Sequence, residues 1–516
     1  MSGRLLPTSL RFSDFKGLLI CFSIGVFVRV IPELLAFPHP IGFDTVDYAV
    51  VMKSGVVWPH WSVFFTSSWL FPALSVMLYR VFGGDPFALL KVSGPLLFGL
   101  NVAGVYWFAR KMLGWSVRLS LFAAAFFAFQ TASLRISWDL LRNTLGLGVL
   151  LFTLPFIKSV GSKRGFACFT LLSLLTVFAH EFTAVTLLTI VLGLAAWYRL
   201  KGTGLADGER LLAAVSPAFA VFLVGLYLRL YPVRFRVESN VLSAGDVVEA
   251  RVGGLFFLTD YLKVKTSVDW YGSYFDLALS VAALFIVLYL AYFYLVWKGF
   301  FKNHVLNIWT GLLSAGSFSL LILPFCGLMY WHRWMFMLVY PFTFYAANGF
   351  SQFQHSLGLR GLFCSGKASA MVMATALIGC IYLATPVLMS TVNVGLFSLN
   401  PVNRYISFAP TVPYEDVEGV AEAMKWLDSN MGESDCVLLQ HGFLFWGQLY
   451  LSKAHMIVHF ESDADLAVET AFKHGYSGVY FVWWNKPIGW YGVNMPESFS
   501  RVKDFGRISV YKHVEI

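Results

Sequence analysis

Runs of apolar residues, each near the roughly 20 residues that carry a helix across a bilayer core, recur through the first three quarters of this chain. They lie at 17–37, 88–109, 117–134, 143–158, 165–178, 183–198, 211–231, 274–297, 305–325, 334–350 and 368–389. A chain of 516 residues would otherwise suggest several soluble domains, but here hydrophobic residues make up 58% and charged residues only 13%. Soluble domains run at about one quarter charged. The pattern predicts a polytopic α-helical membrane protein with about 11 transmembrane helices. Its 17 Trp and 23 Tyr suit the many membrane–water interfaces such a bundle creates.

Charge sets the expected orientation. If the run 62–83 lies on the membrane instead of crossing it, the short basic loops all fall on one side. These are Arg4/Arg11/Lys16, Arg110/Lys111/Arg118, Lys158/Lys163/Arg164, Arg199/Lys201/Arg210, Lys298/Lys302 and Arg360/Lys367. The positive-inside rule makes that side cytoplasmic. The N-terminus is then cytoplasmic and retained as a signal anchor, since no small-residue cleavage site follows the first run. Residues 38–87 form a long external loop with membrane-hugging helices near 44–54 and 62–82, and 232–273 form a second external loop. The overall charge of +9 is uneven: the first 399 residues carry +14, which suits cytoplasmic loops facing anionic lipid and does not point to nucleic acid.

The chain is expected to divide at 392/393, with residues 393–516 as a small external α/β domain. From residue 400 onward, nine Lys and Arg stand against fourteen Asp and Glu, a net −5. Helix patterns appear at 418–430, 443–452 and 464–475, and strand patterns at 436–440, 455–460, 477–483 and 507–513. Cysteines at 21, 168, 326, 364, 380 and 436 include no CxxC pair, so neither a zinc ribbon nor a disulfide framework is indicated.

In this topology the unusual polar residues gather on the external side. Asp44 and Asp47 follow the first span in Gly42-Phe43-Asp44-Thr45-Val46-Asp47, and Asp139, Arg142 and Asn143 follow the third. His180-Glu181 interrupts an apolar stretch, and His332-Arg333 enters the tenth span. Ionisable groups near membrane depth are costly and suggest function, although any one of them also suits a helix-end anchor. Carboxylates serve as general bases or bind divalent cations through oxygen. Arginine grips a phosphate oxygen bidentately. Arg29 and Glu33, four residues apart, read as an ion pair, and Lys91 as a snorkelling side chain. With no Walker A motif, dinucleotide fingerprint or nucleophile elbow, the cluster suits a phosphate-linked lipid substrate.

The order of these motifs resembles the GT-C membrane glycosyltransferases, a family that includes protein mannosyltransferases, aminoarabinose transferases and oligosaccharyltransferases. The likeness runs over roughly residues 12–350. It implies an enzyme that transfers a sugar, a hexose or pentose, from a polyprenyl-phosphate donor to a glycan, lipid or protein acceptor on the extracytoplasmic face, with inversion. It implies Asp44 and Asp47 as catalytic base or metal ligands, and Asp139 as the second acidic position. Arg333, with His332 and Arg142, would bind the donor phosphate, and His180 and Glu181 would form an additional site. A divalent cation, Mg or Mn, would be held by Asp44 and Asp139. Oligosaccharyltransferases carry WWDYG where residues 440–448 here read Gln-His-Gly-Phe-Leu-Phe-Trp-Gly-Gln. That reading therefore ranks second. A lipid-linked sugar transporter or flippase ranks third, because no internal repeat is visible.

Overall fold

The computed structural model describes residues 12–202, 204–231, 233, 240–244, 273–322, 331–354, 359–389, 411–460, 463–485 and 496–514. Arg4, Arg11, Tyr330, most of the loop 232–273 and the stretch 390–410 lie outside them. The chain begins with α1 (Phe12–Leu35), α2 (Thr45–Ser54), α3 (Val63–Thr66), α4 (Leu70–Phe82), α5 (Pro86–Lys111), α6 (Val117–Ala128), α7 (Thr131–Asp139) and α8 (Leu141–Thr153). A 3-10 turn at Leu154–Ser159 leads to α9 (Lys163–Ala179), α10 (Glu181–Lys201), α11 (Leu205–Leu230) and strand β1 (Val241–Ser243). Then come α12 (Tyr274–Lys298), α13 (His304–Phe318), α14 (Trp331–Met337), α15 (Val339–Gln354) and α16 (Leu359–Met389).

The protein is an integral membrane protein. Among the described residues six helices are each long and apolar enough to cross a membrane, and α6 with α7 forms a seventh if the bent pair is one span. α1 and α5 pack with their backbones nearly touching. A Cβ on Gly25 would lie 2.8 Å from the Gly99 Cα, the small-residue contact that membrane helices favour where no hydrophobic effect draws them together. At one end of the bundle Asp14 pairs with Arg110 at 3.0 Å and Lys111 at 2.9 Å.

The expected span 117–134 is not one straight helix. It bends by 62° between α6 and α7. A broken helix inside a bundle must satisfy the backbone groups it frees. Here the Ser133 hydroxyl donates to the Phe127 and Gln130 carbonyls, and the Gln130 amide donates to Thr343 Oγ1 at 2.9 Å and accepts from Tyr292. Asp139 accordingly ends a helix instead of lying in a loop. The expected span 334–350 is likewise divided, between α14 and α15.

Between α1 and α5 the loop forms helices where expected, near 44–54 and 62–82, with the second split into α3 and α4. α4 has 13 residues, about 20 Å at 1.5 Å per residue, too short to span. Trp58 and Trp61 are exposed beside a packed cluster of Phe64, Trp69 and Phe178, an amphipathic rim that suits a membrane surface.

The C-terminal part comprises α17 (Tyr414–Asn430), β2 (Asp435–Gln440), α18 (His441–Tyr450), β3 (Met456–Phe460), α19 (Ala464–Lys473), β4 (Gly478–Trp484), β5 (Phe499–Phe505) and β6 (Ile508–His513). The six strands form one sheet in the order β1-β3-β2-β4-β6-β5. β1 through β4 run parallel, and β6 turns antiparallel to β4. The edge strand β1 comes from the loop after α11, far away in sequence. Its segment is stitched by Ile457 N–H to Asn240 O and Ala244 N–H to His459 O, both 2.8 Å.

Candidate active site

The site forms where the α/β part meets the helical bundle. α18 packs on α2 and on the start of α5. Lys53 Nζ donates to the Leu449 carbonyl at 2.5 Å, and Phe87 meets Trp446 with ring centroids 5.7 Å apart. At the carboxyl end of the parallel strands the His441 ring stacks on Phe43 at 6.1 Å. α2, which presents Asp44 and Asp47, is thus held between bundle and sheet, and one apolar core runs through Val46, Tyr48, Met52, Phe443 and Trp446.

Asp44 stands at the N-terminal boundary of α2. Gly42, with φ +89°, makes the turn that leads into it. The Phe43 amide donates to Asp139 Oδ2 at 3.3 Å, and the other carboxylate oxygen of Asp139 takes Arg135 at 2.5 Å, four residues back on α7. Behind α7, the buried Arg29 donates from Nε and Nη2 to the Ser137 carbonyl, each at 3.3 Å, while pairing with Glu33 at 2.8 Å. The Arg29–Glu33 ion pair is present as expected. Lys91 does not snorkel outward. It binds Glu33 Oε2 at 3.1 Å, because the burial of Glu33 between α1 and α5 makes that carboxylate the nearest available anion.

Asp44 feels four further charged groups: Asp139, Arg333, Arg142 and Asp47. Burial pushes its carboxyl up to about 6, and the neighbouring Asp139 charge pushes the same way against Arg333 and Arg142. Desolvation and a like charge both disfavour the carboxylate. Asp47, one turn along α2, is also raised by burial and opposed by Arg142. The Arg142 guanidinium lies 5.6 Å from the centre of the Tyr48 ring. Glu181 is buried and accepts from the Ser68 hydroxyl at 2.5 Å, and its charge also acts on Arg142. His180 caps α10 by accepting the Phe182 amide at Nδ1, 3.2 Å, and feels both Arg142 and Arg333.

Asp44, Asp47, Asp139, Arg142, His180, Glu181 and Arg333 therefore share one electrostatic neighbourhood, assembled from α2, α7, α8, the α9–α10 junction and α14. His332 sits beside Arg333 on α14, and its ring meets Phe336 at 5.9 Å. Arg135 belongs to the same site and was not anticipated. Its signal was the i,i+4 spacing to Asp139, legible only once 131–139 is taken as helix. Among the described residues no three His, Cys, Asp or Glu side chains gather in a way that could hold a metal ion. Both Asp139 oxygens have protein partners, Arg135 at one and the Phe43 amide at the other.

No family model and no curated protein sequence matches this chain. Solved structures do resemble it. The apo crystal structure of ArnT from Cupriavidus metallidurans aligns at 13% identity over 96% of this chain and 97% of that one, with TM-score 0.46. The archaeal oligosaccharyltransferase AglB from Archaeoglobus fulgidus, in complex with an inhibitory peptide and a dolichol-phosphate, aligns at 11% identity over 91% of this chain and 69% of that one, with TM-score 0.51. At this identity the likeness to AglB is one of fold: a helical membrane bundle joined to a C-terminal α/β part.

Proposed function

We propose that this protein is a membrane glycosyltransferase that moves a sugar from a polyprenyl-phosphate donor to an acceptor hydroxyl at the extracytoplasmic face. The observation that supports this most is Asp44. It is a partly enclosed carboxylate with its proton affinity raised to about 6, set beside Arg142 and Arg333 at the end of the bundle that meets the α/β domain. A general base works best with a pKa near the working pH.

In the proposed reaction Asp44 removes the proton of the acceptor hydroxyl. The acceptor oxygen forms a bond to the anomeric carbon as the bond from that carbon to the phosphate oxygen breaks. The electron pair leaves with the polyprenyl phosphate. Displacement from the opposite side inverts the anomeric centre. Arg333 and Arg142 face the departing phosphate, where fixed positive charge lowers the barrier by meeting charge as it develops. The charge of Asp47 acts on Arg142 from one turn along α2. The fold shared with AglB, whose structure holds a dolichol-phosphate, is consistent with a lipid-phosphate donor. In this orientation the N-terminus and the Asp14–Arg110–Lys111 end are cytoplasmic, and the α/β domain is outside.

The test is reconstitution of the full chain with a panel of short-chain polyprenyl-phosphate hexoses and pentoses, alongside total membrane glycolipid and peptide acceptors. The expected result is release of polyprenyl phosphate that depends on one donor and is lost in Asp44→Asn. Equal release from wild type and Asp44→Asn would sink the assignment.

A further inference from the structure

We infer that Asp139 is a positioning residue and not a metal ligand: clamped by Arg135, it holds the Phe43 amide and so fixes Asp44, and arginine charge occupies the place a divalent cation would take. This rests on the proposed function for its consequence in turnover, though its statement about metal does not.

The argument starts with the two oxygens of one carboxylate. Oδ1 of Asp139 takes Arg135 at 2.5 Å, and Oδ2 takes the Phe43 amide at 3.3 Å. The residue is 3% exposed, so both directions of approach are filled by protein. The Asp44 loop also rests on it by packing, since a side chain on Gly42 would overlap the Asp139 Cβ. Asp44 is the next residue but one. Its place is therefore set by Asp139 through both a hydrogen bond and a contact.

The last turn of α7 is itself held from two sides. Arg135 pairs along the helix, and Arg29 reaches from α1 to the Ser137 carbonyl and, at 3.5 Å, to the Trp138 carbonyl. Those carbonyls belong to the negative end of a helix, where a cation is favourable. Neither arginine needs to contact a substrate to matter.

Charge and donor count argue against a cation here. Calcium takes six to eight oxygen ligands and magnesium a near-octahedral set. Asp44, Asp47 and Glu181 are the other carboxylates of this neighbourhood; Glu181 already takes the Ser68 hydroxyl, and the described residues gather no three-ligand group. The neighbourhood of Asp44 also contains Arg135, Arg142 and Arg333, so a divalent ion would compete with three arginines for the same carboxylates. The same charges suit a departing phosphate.

The experiment uses the full chain in detergent, with Mn2+ alone as the metal probe and electron paramagnetic resonance to separate free from bound ion. Wild type and Asp139→Asn are expected to leave the same free-Mn2+ signal at every concentration. Turnover in excess EDTA is expected to stay within about twofold, because the site holds no cation to remove. Asp139→Asn can still accept from Phe43, so donor KM is expected to hold while kcat falls about tenfold. Asp139→Ala, which frees the loop, is expected to lose about a hundredfold in kcat, the scale of a misplaced reacting group. Arg135→Lys is expected to retain more kcat than Arg135→Gln, with donor KM unchanged in both. One Mn2+ per chain, bound by wild type and lost in Asp139→Asn, would overturn the inference whatever the turnover. So would EDTA inactivation reversed by Mn2+ or Mg2+. A chain that binds no Mn2+ and transfers no lipid-linked sugar would refute the proposed function and leave the metal-free assignment standing. If Asp139→Asn does not fold, wild-type Mn2+ binding alone decides.

Discussion

Gly42 lies directly against Asp139: a Cβ at Gly42 would sit 2.4 Å from the Asp139 Cβ, far inside van der Waals contact. The backbone at Gly42 is also left-handed, with φ +89°, a region that costs residues with a Cβ free energy. The two constraints coincide at the turn that delivers Asp44. Gly42→Ala is therefore expected to displace Asp44 while sparing the bundle. Turnover should fall about a hundredfold, the cost of misplacing a reacting group by about 1 Å. Helical content by circular dichroism should be unchanged. Full activity in Gly42→Ala would show that the loop has another way to seat Asp44.

The raised carboxyl of Asp44 has two consequences for pH. As a base it must be ionised, so kcat/KM should fall as pH drops through about 6. Asp44→Asn should remove two to four orders of magnitude at pH 7, about the scale of a lost general base, and with them that acid limb. The sign for stability is opposite. A carboxyl whose folded value lies above its unfolded one favours folding below the unfolded value, and that contribution is lost as pH rises through the folded value. The window runs from the usual 3.8 up to about 6. Asp44→Asn should therefore raise the thermal midpoint more at pH 8 than at pH 4. A larger gain at pH 4 would contradict the burial assigned to this group.

Arg333 separates a phosphate contact from a simple interfacial anchor. Lysine keeps the charge but cannot form the planar bidentate pair. Arg333→Lys should raise donor KM by about tenfold, the scale of one charge-assisted hydrogen bond, and Arg333→Ala by more. The defect should follow the lipid-phosphate donor and be the same across acceptors. Wild-type dependence on donor concentration in both variants would place the phosphate site elsewhere.

The β1 edge strand offers a test of how the α/β domain is tied to the bundle. Ala244 donates its amide to the His459 carbonyl at 2.8 Å, and proline lacks that donor. Ala244→Pro should cost about 1 kcal/mol of local stability, the net worth of one such bond. Limited proteolysis should then cut near residue 240 faster than in wild type, with the helical bundle intact. Unchanged cleavage would mean that β1 contributes little to holding the domain.

The lengths of the apolar runs made a polytopic helical protein legible from the sequence, because the bilayer accepts only helices or closed barrels and fixes how long a crossing must be. The helices near 44–54 and 62–82 and most strands of the C-terminal domain were legible for a related reason: their periodicity is local. The placement of Asp44, Asp47 and Arg333 near helix starts followed from where the apolar runs stop. What each side chain touches did not. The 62° bend between α6 and α7 depends on Ser133 and Gln130 finding partners as far away as Tyr292 and Thr343, and that bend turns Asp139 from a loop residue into a helix end paired with Arg135. β1 was invisible as a strand because three residues hold no period, and they become a strand only by pairing with β3, more than two hundred residues later. A sequence specifies which groups are costly to bury. Only the packed chain decides which opposite charge, amide or carbonyl meets each of them, because those partners come from distant segments brought together by helix packing.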